Sequence, residues 1–211
     1  MDTEIIRLHS EGKRDESLRK FAEKYQSRLY AVARRQIGNN ADALDAVQEI
    51  LIHFDESLPK FKGESSLYTW TFRLAMNVCL NYKRKHSRAN QSAPLDEKTL
   101  NTGLLISETP ADNPDVMCRT RFRQYVVEQA LLELPDAQRA VLVLCDLEEM
   151  TAPQVAQVLE INPNAVKARL RRARLAFKKI VDREFEALGI EADGLHAFEC
   201  THRYLSEISV G

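Results

Sequence analysis

The feature that most constrains this chain is an apolar period of about 3.6 residues that runs through two separate blocks and vanishes between them. The first block occupies roughly residues 15 to 88 and the second resumes near Arg119. From about Asn90 to Pro114 the period is lost, and Pro94, Pro110 and Pro114 stand among scattered acids. A chain patterned in this way folds as two helical domains with an extended connection, not as one sheet-bearing core. Glycine and proline, seven of each in 211 residues, are too few for a turn-rich β fold. The expected class is therefore all-α: two small helical domains joined by a flexible linker, with a short C-terminal extension. The boundaries read as 1–90, a linker over 91–116, a second domain over 117–188 and the extension over 189–211.

In the first block, residues 15–37 place Leu18, Phe21, Ala22, Tyr25, Leu29, Val32, Ala33 and Ile37 on one helical stripe, and Gly38-Asn39-Asn40 ends it. A second helix, about Ala41 to Glu56, puts Leu44, Val47, Ile50, Leu51 and Phe54 on one side and Asp42, Asp45, Glu49 and Glu56 on the other. Pro59 breaks it. Lys60-Phe61-Lys62-Gly63-Glu64-Ser65-Ser66 reads as a loop whose serines cap the next helix, Leu67 to about His86. There Leu67, Trp70, Leu74 and Val78 form the core stripe while Arg73, Asn77 and Arg84 project from another face.

In the second block, Phe122, Val126, Ala130 and Leu131 stand at helical spacing, Leu134-Pro135-Asp136 gives a break and a fresh start, and a helix from Ala137 to Leu147 follows. Thr151 to Ile180 has the pattern of a helix-turn-helix. A short helix from Thr151-Ala152-Pro153-Gln154 to Leu159 meets a turn at Asn162-Pro163-Asn164 and then a second helix. Val155, Ala156 and Leu159 face Val166, Leu170, Ala173 and Phe177, which leaves Asn164, Lys167, Arg171 and Lys178 outward.

The formal net charge of -1 gives no hint of nucleic acid, but the charge is segregated. Residues 60–90 hold seven Lys/Arg against the single acid Glu64, and residues 164–180 hold seven Lys/Arg and no acid. Residues 36–58 carry five acids and no Lys/Arg. A helix that enters a DNA major groove needs side chains for base edges and cations for phosphates, and Asn164, Lys167, Arg169, Arg171, Arg172 and Arg174 supply both. The plain alternative is a solvated basic face.

These stretches resemble a known family. Leu134-Pro135 through Val155-Ala156, with Asn164-Ala165-Val166-Lys167-Ala168-Arg169-Leu170-Arg171-Arg172-Ala173-Arg174, is similar to the fourth conserved region of extracytoplasmic-function (ECF) sigma factors. Asp42-Ala43-Leu44-Asp45-Ala46-Val47-Gln48-Glu49 resembles the family's polymerase-docking helix. Phe61-Lys62-Gly63-Glu64-Ser65-Ser66-Leu67-Tyr68-Thr69-Trp70, with Arg73-Leu74-Ala75-Met76-Asn77, resembles its promoter-melting region. Both halves occur in the family's order, and the resemblance covers about residues 15 to 185.

The resemblance implies a transcription initiation factor that brings core RNA polymerase to promoter DNA, with no catalytic residues, and that an anti-sigma partner clasps. Asp42, Asp45, Gln48 and Glu49 would meet basic coiled-coil helices of the largest polymerase subunit; an acidic solvated face is the competing reading. Phe61, Lys62 and Gly63 would capture a base flipped from the non-template strand of the -10 element. Asn77 would read that element, with Arg73 and Arg84 beside it on the same face. Trp70 is assigned to the core, and Tyr68 and Phe72 stay open. Lys167, Ala168 and Arg171 match positions that contact the -35 element, although Ala168 stands where the family commonly has Ser.

The C-terminal extension offers His196, Cys200 and His202, side chains that ligate zinc or another transition metal, with His196 and Cys200 four residues apart. The competing reading is an amphipathic packing or autoregulatory helix with Leu195, Phe198, Leu205 and Ile208. No cofactor is otherwise implied. Cys79, Cys118, Cys145 and Cys200 are scattered, so reduced thiols are expected. An acidic start, Met1-Asp2-Thr3-Glu4, and the lack of an apolar run near the roughly 18 residues of a membrane span predict a cytoplasmic protein without membrane insertion. A stand-alone helix-turn-helix regulator is the alternative function. An enzyme finds no nucleophile-base pair or phosphate-cradling glycine loop to support it.

Overall fold

The computed structural model describes residues 1–90 and 125–187, with side chains described over 1–85 and 125–187. Among these residues every regular element is a helix. The chain separates into two compact units. The first contains residues 1–90 and the second most of 125–187.

The N-terminal unit begins with a helix the apolar period did not reveal, α1 (Asp2–Ser10). Only Ile5 and Leu8 of this short segment are buried, too few to display a stripe. Its end is a left-handed reversal in which Gly12 has φ 80°, Lys13 N–H donates to Leu8 O (2.9 Å) and Gly12 N–H to His9 O (3.1 Å). The long α2 (Arg14–Ile37) ends on left-handed Gly38, as the Gly-Asn-Asn run predicts. Asn39 then caps α3 (Asn40–Ser57), its side-chain oxygen accepting from Ala41 N (2.8 Å) and Asp42 N (3.2 Å). A 3-10 turn (Leu58–Lys60) and a loop lead to α4 (Leu67–Asn90). Ser66 caps α4, its Oγ accepting from Thr69 N (3.1 Å).

The core of this unit joins Phe21, Tyr25, Leu29 and Ala33 of α2 to Ala43, Ala46, Val47, Ile50 and Phe54 of α3 and to Leu67, Ala75, Val78 and Cys79 of α4. Phe21 and Phe54 stack with ring centroids 3.5 Å apart. The expected phase of α3 needs one correction. Leu44 does not face the core but is 51% exposed, because Ala43 and Ala46, both fully buried, form the seam with Val47, Ile50 and Phe54. Small side chains let α2 approach closely there, and that rotates the bulkier Leu44 to the surface.

In the C-terminal unit α5, over 125–133, ends at the Leu-Pro-Asp break. The helix expected beyond the break is present as α6 (Asp136–Leu142), which relaxes into a π turn over Val143–Leu147. The end of α5 is closed by a buried side chain. Arg139, 4% exposed, donates from Nε to Leu131 O (2.7 Å) and from Nη2 to Leu134 O (2.9 Å) and Leu132 O. One guanidinium thus satisfies carbonyls that a helix C-terminus leaves open. Burial lowers its pKa from the usual arginine value, partly offset by Asp136.

The helix-turn-helix follows as expected, with α7 (Ala152–Leu159) and α8 (Pro163–Ala187). Gln154 Oε1 accepts from both the backbone N–H and the hydroxyl of Thr151 (2.8 Å each), which fixes the start of α7. Glu160 takes φ 53° in the turn, and Asn162 Oδ1 accepts from Asn164 N (2.8 Å) with Pro163 in the first helical turn. Val155, Val158, Val166, Ala173, Phe177 and Val181 are buried between these elements. Leu170, expected inward, is half-buried.

Candidate nucleic-acid and polymerase interfaces

Three side-chain arrays emerge from these helices. The first is the outward face of α3. Asp45 and Gln48 are exposed, and Asp42 and Glu49 are half-buried. Tyr82 of α4 leans onto this face, its hydroxyl donating to Asp42 Oδ1 at a long 3.4 Å. Burial, then the charges of Asp42 and Asp45, raise the Tyr82 pKa from its ordinary value. His53 stands 3.5 Å from Glu49 and 3.8 Å from Glu56. The acids are flanked by bare apolar side chains: Leu44 and Ile52, 51% and 58% exposed, lie one helical step either side of Gln48. Sequence reasoning missed both, and the buried phase of Ala43 and Ala46 was the signal that finds them.

The second array comprises the loop before α4 and one face of that helix. Phe61 is half-buried, its ring 5.3 Å from Trp70, which in turn meets Phe54 edge-on at 5.9 Å. Trp70 is half-buried between surface loop and core, so the core assignment holds for one side of its ring. Lys62 and Gly63 are exposed. Gly63 has φ +72°, and a Cβ there would meet nothing within 4 Å, so the glycine answers to backbone conformation, not to crowding. Phe72 is fully buried, and Tyr68 packs between Phe72 (4.6 Å) and Tyr25 (6.3 Å). Along α4, Arg73, Asn77 and Arg84 share an exposed face with Asn81, whose Oδ1 accepts from Arg84 Nη1 (3.4 Å). Asn81 falls at the same helical spacing and was overlooked.

The third array is the outer face of α8. Asn164, Lys167, Ala168, Arg171 and Arg172 are exposed, and Arg169 is half-buried. Arg172 Nε donates to Ala168 O (3.3 Å). Arg174, grouped with these by its spacing, is half-buried and also pairs with a neighbouring element. Its Nε and Nη2 donate to Asp146 Oδ2 and Oδ1 at 2.9 and 2.6 Å, a bidentate pair tying α8 to the π turn. The pair raises the Arg174 pKa above its usual value. Lys167, Leu170, Arg171, Arg174 and Leu175 line a shallow open recess of about 440 Å³ on this helix, and Leu175 is 55% exposed.

No metal-binding cluster of His, Cys, Asp or Glu occurs among the described residues. His196, Cys200 and His202 lie outside them, as do Cys118 and the 91–116 connection. Burial pushes the Cys79 thiol up to about 12 and, with Asp146 beside it, the Cys145 thiol to about 11, so neither is a thiolate at neutral pH. No helix among the described residues is long and apolar enough to cross a membrane.

Comparison with known proteins finds relatives for both units of the chain. Residues 21–89 match the family model for Sigma-70 region 2, and residues 125–177 match that for Sigma-70 region 4. The chain is 26% identical over 156 residues to the ECF RNA polymerase sigma-E factor of Escherichia coli strain K12, covering 72% of this chain and 80% of that protein. It is likewise 26% identical over 154 residues to the sigma-E factor of Haemophilus influenzae, with the same coverage. Two solved structures share the fold. CnrH, in complex with the cytosolic domain of CnrY, has a TM-score of 0.63 and 20% identity, covering 86% of this chain and 97% of CnrH. The sigma factor RpoE of Bartonella quintana, in complex with the anti-sigma factor NepR, has a TM-score of 0.61 and 19% identity, covering 77% and 97%.

Proposed function

We infer the function from the premise that this chain belongs to the sigma-70 family, in its ECF group, with regions 2 and 4 in the family's order. It is an RNA polymerase sigma factor, a non-enzymatic protein that binds core polymerase and directs it to promoters. The observation that carries this reading is the co-occurrence, in one chain, of a region 2 module with a polar α3 face and a region 4 module with a cation-bearing helix-turn-helix.

We assign the three arrays as follows. Asp42, Asp45, Gln48 and Glu49 dock on core polymerase, a polar contact suited to reversible exchange, and exposed Leu44 and Ile52 add apolar area beside it. Phe61, Lys62 and Gly63 receive an unstacked -10 base, while Arg73, Asn77 and Arg84 follow the same strand along α4. Asn164, Lys167, Ala168, Arg169, Arg171 and Arg172 enter the groove of the -35 element; the alanine at 168 offers a methyl contact in place of a hydroxyl. Arg174 serves this surface indirectly, through Asp146. An anti-sigma protein is the regulatory partner we propose, on the likeness to a sigma factor solved with one.

Promoter-directed transcription with purified core polymerase and a promoter library tests the assignment. Specific initiation that is lost in Asn77→Ala and in Lys167→Ala, both folded, is the expected result. Tight duplex binding without polymerase, and no initiation on any library member, would instead mark a stand-alone regulator.

A further inference from the structure

Helix α1 precedes the residues matched by the family models and plays no part in the assignments above. Side-chain contacts tie its start and middle to α2. At its start Asp2 Oδ1 accepts from the Tyr25 hydroxyl (2.8 Å) and pairs with Lys24, and Glu4 pairs with Lys20 at 3.1 Å. At its middle Ile5 is fully buried and its carbonyl accepts from the buried Ser17 hydroxyl (2.8 Å). At its end His9 Nε2 lies 3.7 Å from Asp55 Oδ1 without hydrogen-bonding to it, and Asp55 is held by the first residue of α2, Arg14, whose Nη2 donates to Asp55 Oδ2 (2.9 Å).

The last of these attachments bears on the loop. Asp55 stands three residues before the Leu58–Lys60 turn, against which α1 packs. Leu58, 5% exposed, shares one apolar cluster with Ile5 and Phe54, and Leu58 O accepts from Phe61 N (3.0 Å). A continuous path of packed or bonded groups therefore leads from Ile5 through Leu58 to Phe61, and His9 approaches Asp55 in the last turn of α3, three residues before Leu58. The other end of the loop is pinned by the Ser66 cap. Between these anchors Lys62, Gly63 and Glu64 are exposed, so the placement of Phe61 depends on how well each anchor holds.

Ion pairs at this level of exposure contribute little to stability, typically about 0 to 1 kcal/mol each. Geometry is where their effect falls. We propose that α1 is a positioning element for the 61–66 loop: without touching nucleic acid, it fixes the 58–60 turn and thereby sets how accurately Phe61 and its neighbours select the captured base. This rests on the reading of that loop as the -10 base receptor. Ile5 and His9 are its positioning residues.

The experiment compares holoenzymes carrying the unchanged chain, the double variant Ile5→Ala/His9→Ala, and Phe61→Ala. Open-complex formation is measured on promoters bearing each of the four bases at the captured position, alongside affinity for core polymerase. Loss of a single base contact amounts to roughly five- to a hundred-fold in DNA recognition. The expected result is a near-complete loss of base discrimination for Phe61→Ala and a loss of about fivefold for the α1 variant, with core affinity unchanged. A helix that only adds stability would lower the yield of active protein and leave the base ratio as it was. Unchanged discrimination in the α1 variant, with discrimination lost in Phe61→Ala, overturns the positioning role alone. Discrimination retained by Phe61→Ala overturns the loop reading itself. Should the double variant unfold, His9→Ala, which leaves Ile5 in the core, is measured against the same two outcomes.

Discussion

The two helices that carry most of the nucleic-acid contacts we propose, α4 and α8, are built on different principles. Behind α4 stands a run of aromatic rings in successive contact: Phe61, Trp70, Phe54, Phe21 and Tyr25, then Tyr68 and Phe72. Its outer face mixes two arginines with two asparagines and is not dense in charge. Behind α8 the packing is mostly aliphatic, with Phe177 as its buried ring, and the fixing groups are ionic or hydrogen-bonded: Arg139 on the end of α5, Arg174 on Asp146. Its outer face carries Lys167, Arg171 and Arg172 and no acid over residues 164–180. The difference follows the form of the nucleic acid. An unstacked base is recognised by flat apolar surface and amide groups, whereas an intact duplex presents phosphates and groove edges that call for cations.

If the comparison is right, the two units fail in different ways. Phe21→Ala removes a fully buried ring from the middle of the aromatic run, a change of about 3 to 5 kcal/mol, and should unfold the N-terminal unit at denaturant concentrations that leave the other intact. Arg139→Ala strands buried carbonyls at the end of α5 and should destabilise the C-terminal unit by about 3 kcal/mol. Urea titration followed by hydrogen exchange distinguishes the two. Loss of protection across both units in either variant would contradict their independence.

A smaller effect separates the cations of α8 from one another. Arg174→Ala leaves nearly buried Asp146 without its bidentate partner, and the half-exposed pair discounts the loss to about 1 to 2 kcal/mol of stability. Lys167→Ala should leave stability unchanged and instead reduce the salt dependence of promoter binding by about one phosphate contact. The converse pattern, a stability loss at Lys167 and a shallower salt slope with intact folding at Arg174, would place Arg174 among the direct contacts after all.

Much of this was legible in the residues. The caps at Gly38, Asn39, Ser66 and Asn162 declare themselves, because each reports a local backbone requirement that neighbouring sequence determines. So does the outward face of α8, where the charges are too many to bury. What escaped was decided by partners distant in the chain. Helix α1 has too few apolar residues to show a period and is held by Tyr25, Ser17 and Asp55. Leu44 reads as core until the alanines beside it are seen against α2. Arg174 also ties α8 to Asp146, 28 residues earlier, a pairing that spacing along α8 does not reveal. Composition and spacing cannot rank these pairings, since each depends on tertiary proximity.

The sharpest test of the α4 half of the comparison is also the smallest in energy. Gly63 sits at φ +72° in open space, so Gly63→Ala introduces no clash and only the left-handed backbone penalty, about 1 kcal/mol. In a loop exposed to solvent this is too little to unfold the unit. It is enough to shift the loop toward conformations with negative φ, which carry Phe61 and Lys62 off the face they share with α4. Open-complex formation should therefore slow by roughly fivefold, the factor that about 1 kcal/mol represents, while binding to the -35 duplex and to core polymerase is unchanged. Wild-type melting by Gly63→Ala would show that the loop tolerates a different backbone, and that the rings of Phe61 and Trp70 act as a surface without a fixed geometry.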